Sequence, residues 1–415
     1  MAKTRAIDSR VVIESLEPTV VCGDYPAKSP LVEEVVVEAD VFADGHDSIT
    51  VVLRNRQRGR RSWSESAMTH LGNDRWRASF TPGELGTWEF EISGWVDDFK
   101  TWRDGLAKKA EAGIDLGTDL IIGSRLVEEA TQRANGIEAE TILSIAGRLA
   151  DERSSVGERV EQGLSEALSR LMEANPDRSR ATTSGRHRLT VDREKAVFST
   201  WYELFPRSWS DSPGEHGTFA DVEANLGYVS KMGFDVLYLP PIHPVGITLR
   251  KGPNNTLGAG SDDPGVPWAI GSEEGGHTAI KKELGTIKDF RSLRDAVRDH
   301  GMELALDIAF QCSPDHPWTK EHPEWFEHRP DGSIQYAENP PKKYQDIYPL
   351  DFETSDPDGL WAALKGVFDH WLGEGIRIFR VDNPHTKSFP FWEWLIGELQ
   401  RAHPDVVLLA EAFTR

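Results

Sequence analysis

Cysteine is almost absent from this chain: Cys22 and Cys312 are the only two in 415 residues. A disulfide framework needs more, so the fold is expected to rest on its packed core and to suit a reducing cytosol. Basic residues are outnumbered as well. With 47 Lys and Arg against 68 Asp and Glu, the net charge is -21. Nucleic acids and anionic membranes require a basic face, so neither is expected as a partner. No run approaches the ~20 apolar residues of a membrane span. Residues 1–18 lack the apolar core of a secretory signal, and a cytoplasmic location is the expectation. Nucleotide motifs are missing too. No GxGxxG opens the β/α region, and Gly275-Gly276-His277 lacks the GK[ST] ending of a phosphate loop. His316, His322 and His328 are not at HExxH or Cys/His metal spacing. They read as surface loop histidines, and no metal or cofactor is expected.

What the chain does have is length for two or three domains and three changes of pattern. Residues 1–105 read as an Ig-like β-sandwich. Val35, Val37, Ala39 and Val41 alternate with Val36, Glu38 and Asp40, and Ile49, Val51 and Leu53 alternate again. Trp76, Ala78 and Phe80 lead through Pro82-Gly83 to Trp88, Phe90 and Ile92. Residues 106–185 read as an inserted bundle of about three helices. Ile142, Ile145 and Leu149 recur at helical spacing, as do Val160, Leu164, Leu168 and Leu171, with breaks at Gly136 and Ser154-Ser155. Arg178–Arg188 reads as a solvated basic linker. The 14 Trp are expected mostly in packing, although flat aromatic faces also serve carbohydrate sites.

Residues 186–415 alternate strand and helix. Strands are predicted near Val197–Leu204, Phe234–Leu239, Met302–Ile308, Ile376–Val381 and Val406–Ala410, with a long loop, 311–356, after the third. Repeats of this length imply a parallel sheet, here the first five strands of an incomplete (β/α)₈ TIM barrel. The fold class is thus multidomain: β-sandwich, helical bundle, partial barrel.

Active sites of such barrels lie at the carboxyl ends of the strands, and here those ends are polar. Glu203 and Arg207 stand near the first, His243 after the second, and Asp307 and Gln311 at the third. Arg380 and Asp382 mark the fourth and Glu411 the fifth. In IRIFRVD, Arg380 lies two positions before Asp382, hence on the same face, where it would keep the carboxylate ionised. Two carboxyls on neighbouring strand ends can reach the ~5–5.5 Å separation that retaining glycosidic chemistry uses. Asp382 is then the nucleophile and Glu411 the general acid. A buried ion pair without catalysis stays open on these residues alone.

LALDIAFQ around Asp307, FRVD ending at Asp382 and AEAF around Glu411, in that order, resemble three barrel segments of the α-amylase superfamily of glycoside hydrolases and transglycosylases, glycoside hydrolase family 13. The resemblance implies Asp382 as nucleophile, Glu411 as general acid/base, Arg380 as their partner and Asp307 as a structural site residue. Most of that family places Asn and His four and five residues after the first Asp. Gln311 and Cys312 stand there instead, which removes a common calcium anchor.

QCSPDHPW (311–318), ENPPKKYQDIYP (338–349), WYELFPRS (201–208) and EEGGHTA (273–279) are similar to motifs of the superfamily's maltosyltransferases. That likeness implies a retaining transfer with α-maltose 1-phosphate as donor and an α-1,4-glucan as acceptor. It implies Lys251, Gln311, Asn339, Lys342 and Tyr344 around the donor phosphate, with Lys343 exposed, and Asn383 on the donor sugar. It further implies a homodimer through the N-terminal and helical regions, without cofactor or metal. The third family carboxylate would lie beyond Arg415, so this chain reads as an amino-terminal part, inactive by itself. Other readings are a hydrolase or branching-type enzyme of the superfamily, or a non-catalytic glucan-binding protein. Intact Asp382, Arg380 and Glu411 argue against the last.

Overall fold

Val35, Val37, Ala39 and Val41 of the Val35–Ala43 strand are buried in alternation, and that pattern organises the first of two units, Met1–Val191 and Asp192–Arg415. The structure, a computed structural model, describes residues 9–413. The first unit opens with β1 (Val11–Glu17), β2 (Ala27–Pro30), β3 (Val35–Ala43), β4 (Ile49–Gln57), β5 (Ser64–Ala67), β6 (Thr69–Gly72), β7 (Arg75–Phe80) and β8 (Gly86–Val96). After five helices come β9 (Thr182–Thr183) and β10 (His187–Asp192). One antiparallel sheet has the order β1-β3-β7-β6. The other runs β2-β10-β8-β4-β5, with β9 beside β8. Val37, Val41 and Trp76 of the first sheet share one core with Leu53, Phe90, Ile92 and Leu189 of the second.

The helices are α1 (Asp98–Glu111), α2 (Gly117–Ala130), α3 (Gly136–Ala150), α4 (Val156–Leu164) and α5 (Glu166–Ala174). They start earlier than residue 106 and number five rather than three, for local reasons. Asp97, directly after β8, caps α1 by accepting from the Lys100 N–H. Ser165 both ends α4 and caps α5, so the apolar spacing from Val160 to Leu171 runs on through a break it cannot reveal. Gly123 is required where α2 crosses α1, since a Cβ there would stand 1.9 Å from the Trp102 ring. The basic linker is partly anchored: Arg178 forks onto Glu65 and covers the face of Trp95.

The second unit is built on a parallel sheet whose strand order follows the chain. Its main strands are β11 (Trp201–Glu203), β12 (Val236–Leu239), β13 (Glu303–Ile308), β18 (Ile378–Val381) and β19 (Val407–Ala410). Between β13 and β18 lie two small pairs, β14 (Gln311–Cys312) with β17 (Tyr348–Pro349) and β15 (Ala337–Asn339) with β16 (Lys342–Tyr344). The helices are α6 (Glu194–Val197), α7 (Phe219–Ala224), α8 (Leu226–Lys231), α9 (Ile287–Asp299), α10 (Trp318–Glu321), α11 (Pro357–Gly373) and α12 (Phe389–Ala402). The first strand is shorter than expected: α6 takes Val197, and Phe198 is exposed.

Side chains alternate across this sheet. Leu237, Leu239, Leu304, Leu306, Ile308, Phe379 and Val381 pack into one large core with Phe219, Phe290, Leu364, Phe368, Trp371 and Phe391 of the helices. Val236, Tyr238, Ala305, Ile378 and Val407 form a smaller cluster of the opposite parity. Continued along the strands, that second parity reads Ala305–Asp307, Ile378–Arg380–Asp382 and Val407–Leu409–Glu411. The sheet register, with Asp307 opposite Arg380 and Arg380 opposite Leu409, aligns the polar ends.

Candidate active site

The parallel ladder carries on past the strands. The Asp382 N–H donates to Ile308 O (2.8 Å) and the Glu411 N–H to Val381 O (3.0 Å). Backbone bonding therefore fixes both carboxylate-bearing residues at neighbouring strand ends. Their side chains meet on one guanidinium. Arg380 Nη1 donates to Asp307 Oδ2 (2.7 Å) and Asp382 Oδ1 (2.8 Å), while Nη2 pairs with Glu411 Oε2 at 2.6 Å. Asp307 and Asp382 are buried; the Glu411 side chain keeps 33% of its exposure, so it alone of the three opens to solvent.

Burial works against the Arg380 charge, but Asp307, Tyr238 and Asp382 more than offset it and hold the guanidinium protonated. Burial pushes the Asp307 carboxyl up to about 7, against the pull of Arg380 and of the Tyr238 hydroxyl, which donates to its Oδ2. Asp307 Oδ1 has no hydrogen-bond partner among the described residues. Asn383 follows the pair in the left-handed region (φ 41°), and its Nδ2 reaches Asp382 Oδ2 at 3.4 Å. Its carbonyl accepts from Thr386 Oγ1 (2.8 Å) and Lys387 Nζ (3.3 Å), which holds the turn behind Asp382. Burial lowers the Lys387 pKa, while Asp382, Asp307 and Glu411 pull the other way. Tyr238 and Lys387 were missed in the sequence reading. The alternation Val236–Tyr238 offered a signal for the first. Lys387, five residues into an irregular turn, offered none.

The residues expected around a donor phosphate form a second group. Asn339 and Lys342 face each other across the β15–β16 hairpin and both are exposed, as is Lys343. Tyr344 is half-buried and packs against Val245, Ala269 and Ile347. Gln311 starts β14, and its Nε2 donates to Trp268 O (3.2 Å). Lys251 is buried, at 3% exposure, in the loop after β12. Among the described residues no hydrogen bond or ion pair joins this group to the carboxylate cluster.

His316 corrects the surface reading: it is buried at 1% exposure. Its Nδ1 accepts from the Trp318 N–H (3.0 Å), so its proton sits on Nε2 and is shared with His277 Nδ1 at 3.1 Å. His277 Nε2 then donates to Ala309 O (3.0 Å), and His243 packs beside it with ring centroids 6.1 Å apart. Burial holds His243 down to about 4 and His316 to about 3, and lowers His277 as well. One group of possible metal ligands occurs among the described residues: His322, Glu324 and Asp356, within 4.8 Å. Its atoms are already engaged. His322 Nδ1 meets Glu324 Oε1 at 3.2 Å, and Asp356 caps α11 and accepts from Trp325 Nε1.

The unit built on the parallel sheet carries one family match, "Alpha amylase, catalytic domain", over residues 203–363, which ends before Arg380, Asp382 and Glu411. A second match, "Alpha-1,4-glucan:maltose-1-phosphate maltosyltransferase, domain N/S", covers residues 9–193. The chain belongs to the family of α-1,4-glucan:maltose-1-phosphate maltosyltransferases. It is 52% identical over 407 residues to the protein of that name from Chlorobaculum tepidum, covering 98% of this chain and 60% of that one. The protein of that name from Cereibacter sphaeroides is 48% identical over 411 residues, covering 99% and 69%. An α-amylase structure from Lactobacillus plantarum aligns over 52% of this chain and 45% of that one, at 31% identity and a TM-score of 0.43. The chain thus spans about 60% of the length of the first relatives it matches. No helix among the described residues is long and apolar enough to cross a membrane.

Proposed function

We propose that the protein moves a maltosyl unit from α-maltose 1-phosphate to the non-reducing end of an α-1,4-glucan, with retention of configuration and release of phosphate. One observation carries the reading: a single guanidinium touches both Asp382 and Glu411 at adjacent strand ends. That contact aims the Asp382 carboxylate, while Glu411 stays open to the incoming sugar.

Asp382 attacks the anomeric carbon as its bond to the phosphate oxygen breaks, and Glu411 gives a proton to that departing oxygen. A maltosyl ester on Asp382 results. Glu411 then takes the proton from the glucan 4-hydroxyl, whose oxygen displaces Asp382. Two inverting displacements give retention. Asp307, shared between Tyr238 and Arg380, supports the guanidinium rather than reacting. Lys251, Gln311, Asn339, Lys342 and Tyr344 supply hydrogen bonds and positive charge to the donor phosphate, and Asn383 contacts the donor sugar.

In this reading the five parallel strands are the first five of a (β/α)₈ barrel, and the first unit is an Ig-like sandwich with a helical insert. A homodimer and a cytoplasmic location belong to the same reading; both cysteines are free, which suits a reducing compartment. The full-length protein, given α-maltose 1-phosphate and a maltooligosaccharide, is expected to release one phosphate for each two-glucose extension. Asp382→Ala is expected to lose this by at least ~10³-fold. Near-normal turnover in that variant removes the nucleophile, and phosphate release without chain growth favours a hydrolase.

A further inference from the structure

The two oxygens of Asp382 are held unequally. Oδ1 accepts from Arg380 Nη1 at 2.8 Å, whereas among the described residues Oδ2 meets one donor, the Asn383 Nδ2, at 3.4 Å. The loosely held oxygen is the one free to form a bond, and the residue that touches it is next along the chain. Asn383 stands in the left-handed region, at φ 41° and ψ 54°. Few side chains other than Asn and Asp adopt that conformation readily. A tight turn follows: the Thr386 N–H donates to Asn383 O and the Lys387 N–H to Pro384 O, each at 3.1 Å. Trp392 Nε1 of α12 donates to the same Pro384 carbonyl (2.9 Å), which ties the far side of the turn to a buried ring.

The carbonyl at the pivot gathers three donors. Besides the Thr386 N–H, Asn383 O accepts from Thr386 Oγ1 (2.8 Å) and from Lys387 Nζ (3.3 Å). Lys387 Nζ also donates to Thr386 Oγ1 (2.9 Å), so ammonium, hydroxyl and carbonyl close a triangle. A carbonyl oxygen has two lone pairs, which the backbone N–H and the threonine hydroxyl already fill. The lysine therefore exceeds what the turn itself requires. Keeping an ammonium half-buried is costly, and burial lowers the Lys387 pKa against the pull of Asp382, Asp307 and Glu411. Yet its hydrogen bonds run to Asn383 O and Thr386 Oγ1 rather than to a carboxylate.

We propose that Lys387 is a positioning residue: its ammonium pins the Asn383 carbonyl and so keeps the Asn383 amide on Oδ2, the oxygen of Asp382 that attacks the donor. The inference rests on the reading of Asp382 as nucleophile given above. It accounts for a lysine kept beside the carboxylates of the site without bonding to one, and for a left-handed asparagine directly after the nucleophile.

The test is steady-state kinetics of the full-length protein and its Lys387→Met variant, with α-maltose 1-phosphate and a maltooligosaccharide. Methionine keeps the length of the side chain but has no donor and no charge. The donor kcat/KM is expected to fall on the order of 10- to 100-fold, mostly through kcat, as for a misaimed reacting group. The glucan KM, inhibition by inorganic phosphate and the thermal midpoint should stay close to wild type. With α-maltosyl fluoride as donor the loss should be as large, because fluoride departs with little need of a proton and the attacking oxygen is still misplaced. Asn383→Gly removes the amide while glycine keeps the left-handed turn. It should lose a similar factor, and adding Lys387→Met to it should cost nothing further, because both act through one contact.

An unchanged donor kcat/KM in Lys387→Met overturns the proposal. A raised glucan KM with kcat intact overturns it too, and makes Lys387 a contact of the acceptor. A loss seen with the phosphate donor but not with the fluoride places the lysine at the leaving group instead. A loss accompanied by a lower thermal midpoint, and additive with Asn383→Gly, reduces it to a brace of the fold. Failure of the wild-type protein to release phosphate from α-maltose 1-phosphate, or near-normal turnover in Asp382→Ala, removes the functional reading itself, which is a separate outcome.

Discussion

The strand-end cluster and the β15–β16 hairpin are built on opposite principles. Asp307, Arg380 and Asp382 are buried, tied to a five-stranded ladder, and joined by contacts of 2.7 and 2.8 Å. Asn339 and Lys342 sit on a two-stranded hairpin, exposed, with no side-chain partner among the described residues. A nucleophile must be held to within a fraction of an ångström, which rigid sheet ends provide. Recognition of a mobile phosphate tolerates, and gains from, side chains that close after binding. Under the proposed function this becomes a division of labour: reaction geometry set in the sheet, donor choice set on the loop. Substitutions in the two places should therefore differ in kind as well as size.

The largest effect is expected at Arg380. Removing the guanidinium leaves Asp307 and Asp382 buried side by side, with Glu411 beside them. Arg380→Met is expected to cost roughly 3–5 kcal/mol, read as a shift in the denaturant midpoint, and to abolish transfer. Arg380→Lys should recover some stability but little activity, because one ammonium cannot fork across carboxylates on both sides. A loss below ~1 kcal/mol in Arg380→Met, as for an exposed pair, would break the contrast between the two regions.

How much of this was legible follows the same contrast. Asp307, Arg380, Asp382 and Glu411 stand at the ends of apolar runs whose period is two, so sequence spacing already puts them on one face. The alternation Val35, Val37, Ala39, Val41 names an inward set, and all four are at 5% exposure or less. The histidines were not legible. His316 lies in a loop and reads as polar, yet it is buried by contacts with His277, 39 residues earlier, and with Trp318. No local period encodes a pairing across such a distance. Helix count failed differently, since the serine that splits α4 from α5 interrupts hydrogen bonding without interrupting the apolar spacing.

The next effect in size is pH-dependent and lies beneath the loops. His243 and His316 are held down to about 4 and about 3 by burial, and His277 is lowered too. Below an unfolded pKa of about 6.5 the unfolded chain takes up protons that the folded chain refuses. Stability is therefore full above that value and falls as pH drops towards the folded pKa values. His243 and His316 are each expected to cost about 1–2 kcal/mol between pH 6.5 and 5, and His277 to act in the same direction. Asp307, raised to about 7, acts in the opposite sense, its protonated form being favoured by folding. Thermal midpoints between pH 7 and 5 test the balance. A flat profile would mean that the histidine layer opens to water, and that the loop side of the comparison is as loose inside as outside.

The smallest effect is expected at Lys342, where the comparison is sharpest. Its side chain is exposed and spends nothing on the fold, so Lys342→Ala should leave the thermal midpoint unchanged. If the hairpin closes over the donor phosphate, the variant raises the donor KM by a few-fold, about 1 kcal/mol. Added salt should shrink the difference between wild type and variant, because screening already weakens a contact made near solvent. The glucan KM should not move, since the acceptor has no phosphate. An unchanged donor KM at low ionic strength would detach the hairpin from the donor end and leave Lys251 and Gln311 as its remaining polar contacts.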